Sequence, residues 1–124
     1  MNPLTESRQA LTEALEGVGV TVYPAPPASL TPPAVILGAG SPWAVPLTWA
    51  KTEVRWIATL AAAQIGTNEA AYDRLEQLVW DVTAAVRGAG MAVDTVGQVK
   101  SIRYGQADVA GVDLEIRTHV EDDT

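Results

Sequence analysis

No cysteine occurs in the 124 residues, which excludes disulfides and thiolate metal sites and suits a protein that folds in a reducing cytoplasm. Phenylalanine is absent too, so the core has to be built from Val, Leu, Ile and Ala, with Trp and Tyr as the only bulky rings. His119 is the single histidine. A Ser-His-Asp triad would have to recruit it from a strand near the chain's end, and no Gly-x-Ser-x-Gly elbow is present. Zinc would need carboxylates in place of almost all its usual ligands. The glycines at 38 and 40 do not continue into a phosphate-binding fingerprint. No apolar run approaches the ~20 residues that span a bilayer, and Met1 to Glu6 lacks the basic-then-apolar pattern of a signal peptide. Basic residues are few, 8 against 15 acidic, for a formal charge of -7. Such a surface repels phosphates. It argues against a protein that grips nucleic acid, though not against one past which DNA slides.

What is present reads as one domain, residues 1–124, of α+β type: a twisted mixed or antiparallel sheet of four to five strands with two amphipathic helices packed on it. The first helix spans Pro3 to Glu16, with Asn2 as N-cap and Pro3 in the first helical position. Leu4, Leu11, Leu15 and Val18 share one side, and Gly17 and Gly19 offer positive φ to end it. Val18 to Tyr23 alternates as a short strand. Residues 24–33 hold five prolines and form a stiff extended connector; such a segment also has the composition of a ligand for an aromatic-lined groove. Ala34 to Gly38 reads as a central strand. Gly38 to Pro46 reads as a loop whose Trp43 is either a lid on the core edge or an anchor in a subunit contact. Thr52 to Ala62 alternates as a long strand, Val54, Trp56, Ala58 and Leu60 facing one way.

The second helix spans Asn68 to Arg87, after a break and fresh N-cap at Gly66-Thr67-Asn68. Tyr72, Leu75, Val79, Val82 and Val86 recur at steps of 3 and 4 and make its apolar stripe, widened by Ala71, Leu78 and Ala85. Trp80 falls roughly 150° from that stripe at about 100° per residue. It stands among Asp73, Glu76, Gln77 and Arg87, on a face that should meet water. A large ring there points to contact with another surface. Val93 to Val96 reads as a short strand or a loop, Val99 to Tyr104 is β-like with less clean alternation, Gly105 to Gly111 supplies a turn, and Val112 to Val120 alternates strongly. Residues 121–124 form an acidic frayed tail.

One pattern bears on catalysis. Asp108 or Asp113 with Glu115-Ile116-Arg117 is distantly like the Asp…Glu-x-Lys arrangement of metal-dependent nucleases, in which two carboxylates hold Mg²⁺ and the lysine assists the attacking water. Arginine in the lysine's place cannot supply a proton. Alternating charges on the wet face of a strand account for the same residues. No catalytic, cofactor or metal residue is assigned.

The order of these elements, with Ala10 to Leu15, Val22-Tyr23-Pro24, Pro33-Ala34-Val35-Ile36-Leu37, Val54 to Leu60, Asn68-Glu69-Ala70-Ala71-Tyr72 and the Tyr104/Gly111 hairpin leading to Val112 to Ile116, resembles the tail terminator proteins of long-tailed (siphovirus-type) phages, particularly short versions from phages of actinobacteria. The resemblance implies a virion protein without cofactors or a catalytic step, made in the host cytoplasm. Such proteins form a hexameric ring at the head-proximal end of the tail. The ring caps the tail tube, ends its growth and meets the head connector, while double-stranded DNA passes through the lumen unbound. No membrane is involved. On that reading Trp43, Trp80, Arg87, Arg55 and Arg103 are candidates for the subunit interface, and Asp94, Asp108, Asp113 and Glu115 for a channel-facing acidic surface. Another neck or head-closure ring protein, or a small nuclease, are the alternatives.

Overall fold

The computed structural model describes residues 2–63, 68–104 and 107–121, and their side chains except at positions 63, 68, 102, 104, 107 and 108. The elements run α1 (Pro3–Glu16), β1 (Thr21–Tyr23), β2 (Ala34–Thr48), β3 (Lys51–Ala63), α2 (Asn68–Gly88), β4 (Ala92–Val96), β5 (Lys100–Tyr104) and β6 (Ala107–Glu121). Among the described residues this is an α+β arrangement with one mixed sheet of six strands, not four or five. The order is β1-β2-β3-β6-β4, with β5 also on β6. Among the described residues, β1–β2 is the one parallel pair.

Helix α1 begins where its sequence predicts. The Asn2 side chain accepts from the Thr5 N–H at 2.8 Å, and Pro3 occupies the first turn. Leu11 and Leu15 are buried, with Leu4 and Val18 packed at the core's edge. Gly17 caps the helix in the right-handed region at φ -68, so of the two expected breaks only Gly19, at φ 89, uses positive φ. The turn takes up Val18 to Val20, and β1 is shorter than predicted.

The main departure is β2. The expected loop from Gly38 to Pro46 is strand, and β2 with β3 makes one long antiparallel hairpin turning at Trp49-Ala50. Pro42 and Pro46 fit because β1 pairs only with Ala34 to Ile36, leaving the outer side of β2 unpaired beyond that. An edge strand tolerates missing donors. The ladder shifts register between Ala39 and Ala44, the bulge that Gly and Pro there foreshadow. Similarly, of the turn expected over Gly105 to Gly111, residues 107–111 are strand and residues 105 and 106 lie outside the described residues; Gly111 sits within β6 opposite both Ala61 and Lys100.

In α2 the buried line is Ala71, Leu75, Leu78, Val82 and Val86. The predicted stripe is therefore rotated. Val79 and Tyr72 lie about 60° and 80° from this line at ~100° per residue; Val79 is half-buried and Tyr72 exposed. The helix ends with the Gly90 N–H on the Arg87 carbonyl and the Met91 N–H on the Val86 carbonyl. Gly90 has φ 79, and buried Met91 seals the turn. Asn68, the expected N-cap, is the first residue of α2; its side chain and residues 66–67 lie outside the described residues.

Both helices lie on one sheet face, over Val35, Leu37, Val54, Trp56, Ala58, Leu60, Val112, Leu114 and Ile116. The other face has a smaller apolar cluster, Ala34, Ile36, Ala61 and Val109, covered by Leu30 of the proline-rich connector. Tyr23 flanks that cluster, and its hydroxyl accepts from the Thr31 N–H at 3.1 Å.

Candidate interaction surfaces

The rest of the second face is polar. Odd-numbered positions of β3 and β6 point to it, in the register Glu53↔His119, Arg55↔Arg117, Ile57↔Glu115 and Thr59↔Asp113. Two arginines directly opposed across a ladder destabilise it. The Glu53 carboxylate lies between them. It meets Arg55 Nη2 at 2.8 Å, Arg117 Nε at 3.6 Å and His119 Nε2 at 3.8 Å. Glu53 is itself buried, so its charge is held by these neighbours rather than by water. The imidazole adds a positive charge to this group only when protonated.

Three of the four acidic residues expected to face a channel, Asp94, Asp113 and Glu115, share this face. Asp94, on β4 where its ladder shifts register, pairs with Arg117 at 3.2 Å. Asp113 accepts from Thr59 Oγ1 at 2.7 Å and from Lys100 Nζ at 3.2 Å. Glu115 accepts from Thr95 Oγ1 at 3.0 Å. The Asp108 side chain lies outside the described residues. The face therefore carries interleaved charges of both signs rather than a block of acid. It also holds the nuclease-like residues: Asp113, Glu115 and Arg117 are each engaged by another side chain. Among the described residues no three metal-ligating side chains are gathered.

The expected subunit-contact residues are spread over separate surfaces. Arg55 belongs to the Glu53 cluster. Arg103, on β5, and Arg87, in the last turn of α2, are exposed; a cation suits that helix end. Trp43 packs edge-on against Trp56, ring centroids 5.8 Å apart, and its outer side shares a recess with Leu4, Thr5 and Arg8 of α1. It lies against the core edge, as the lid reading expects, with 45% of its surface exposed. Trp80 stands out from α2 with 72% of its surface exposed.

Trp80 is not isolated. With Tyr72, Val79, Val96 and Val99 it walls a groove of about 330 Å³ between α2 and the β4–β5 segment. A second groove, of about 290 Å³, follows the opposite flank of α2, lined by Val18, Val20, Pro33 and Leu78 with Arg74 and Asp81 on its rim. The most exposed aromatic ring among the described residues escaped the sequence reading. Trp49, at the turn of the β2–β3 hairpin, is 91% exposed, beside half-exposed Leu47. Its signal was an aromatic midway between two antiparallel β-runs, hidden because the first run read as a loop. Among the described residues, neither helix is long and apolar enough to cross a membrane. No protein-family model matches the chain, and no curated protein matches it.

Proposed function

We propose that this chain is a structural assembly protein, a self-associating subunit of a phage tail ring that caps the tube and meets the head connector. The carrying observation is the pair of separate apolar surfaces, each centred on a tryptophan: Trp49 at the hairpin tip and Trp80 beside the α2 groove. Exposed rings of this size are typical of contact anchors. A subunit that must meet neighbours on two sides needs two such surfaces. The resemblance to tail terminators supplies the setting. The charge favours it as well: the formal charge is -7 overall, and on the polar sheet face Arg55, Lys100 and Arg117 are each bound to a carboxylate, so that face offers duplex DNA little to hold. The same pairing weighs against the nuclease alternative, whose carboxylates need freedom to take a metal.

Light scattering across a concentration series tests the reading. A discrete multimer, six-fold on the tail-ring model, is the expected mass. A monomer at every concentration, together with Mg²⁺-dependent DNA cleavage, would transfer the assignment to the nuclease.

A further inference from the structure

We infer that the hairpin tip of one copy docks into the α2/β4–β5 groove of the next, with Trp49 as the inserted ring. This rests on the self-assembly reading and specifies its contact. One surface offers an indole projecting from the turn of the β2–β3 hairpin, and the other an apolar groove of about 330 Å³ flanked by Trp80 and Tyr72. They are complementary in charge. Lys51 follows Trp49 on the tip, and Glu76 lies on the groove's rim. Neither makes an ion pair among the described residues, although Lys51 stands opposite Glu121 in the ladder.

The second groove fits less well. Its rim carries both Arg74 and Asp81, the latter already bonded by Gln77 at 2.9 Å, and no aromatic lines it. A chain cannot fill its own groove. From Lys51, next to the tip, to Leu60, paired with the groove's Val112, β3 advances about 30 Å at ~3.3 Å per residue. The contact is therefore between copies. Because it joins two different surfaces it runs head to tail, the kind that closes into a ring when the rotation per subunit permits.

The absence of cysteine makes a direct test clean. Copies carrying Ala50→Cys are mixed with copies carrying Glu76→Cys under mild oxidation. The expected product is a disulfide-linked pair containing one of each, with neither variant cross-linking alone. In parallel, Trp49→Ala and Trp80→Ala should each raise the concentration needed for assembly about tenfold or more, the effect of removing an interface anchor. Both rings are exposed, so circular dichroism should show the fold retained. A wild-type chain that assembles, with both tryptophan variants assembling equally well and no mixed cross-link, overturns this pairing and leaves self-assembly standing. Cross-linking of position 50 to itself overturns it in favour of a tip-to-tip contact. A wild-type chain that stays monomeric overturns pairing and self-assembly together.

Discussion

The Trp56 indole N–H donates to the Ser7 hydroxyl at 2.9 Å, across the buried seam between β3 and α1. It is a side-chain link between elements 49 positions apart, and it lets a bulky ring sit in the core with its one polar atom satisfied. Ser7→Ala leaves that N–H buried without a partner and should cost about 1–3 kcal/mol in denaturant unfolding. Combined with Trp56→Phe, the loss should fall short of the sum of the single losses, because one bond cannot be removed twice.

Leu75 and Val79 separate the buried line of α2 from its flank. Leu75 is 2% exposed, and Leu75→Ala should lower stability by about 2–5 kcal/mol. Val79→Ala, on the half-buried wall of the groove, should cost less. Thermal unfolding of the two variants compares them directly; equal losses would mean that the helix sits rotated from this description.

Glu53 holds together a cluster of cations. Glu53→Ala leaves Arg55 and Arg117 facing each other with their shared anion gone, and should cost about 1–3 kcal/mol. His119→Ala removes only a half-exposed partner 3.8 Å away and should change stability by less than ~1 kcal/mol. Chemical denaturation at neutral pH ranks the two; a reversed order would mean the carboxylate does not organise the face.

Gly40 lies close against Arg55 of β3, in the stretch where the β2–β3 ladder shifts register. A Cβ there would lie 2.8 Å from both the Cβ and the carbonyl oxygen of Arg55. Because the obstruction is largely backbone, Gly40→Ala should destabilise by about 1–3 kcal/mol through overpacking. Gly38→Ala meets nothing within 4 Å and should be close to neutral. The difference in unfolding midpoint between these variants reads out the bulge.

Salt provides a test of the assembly reading. If pairs such as Lys51 with Glu76 guide docking between copies, association should slow and weaken as ionic strength rises. Binding to free duplex DNA should be negligible even at low salt. Tight duplex binding there would move weight to a nucleic-acid-processing role.

Local chemistry determined much of this protein by itself. Asn2-Pro3 sets the start of α1, the alternation from Val54 to Leu60 places β3 with its core face, and the spacing through Val82 and Val86 makes α2 a helix with one buried side. Trp80 stood out as exposed for the same reason, since a helical period assigns every residue an angle. Other features needed the tertiary structure. The stretch from Gly38 to Pro46 carries every local sign of a loop, and only its place on an outer edge, where proline's missing donor does no harm, makes it strand. The sideways turn of α2 that exposes Tyr72 depends on what the sheet offers beneath it. The Glu53 cluster and the separation of Trp49 from the α2 groove depend on strand register, which is decided by partners distant in the chain and carries no local signal.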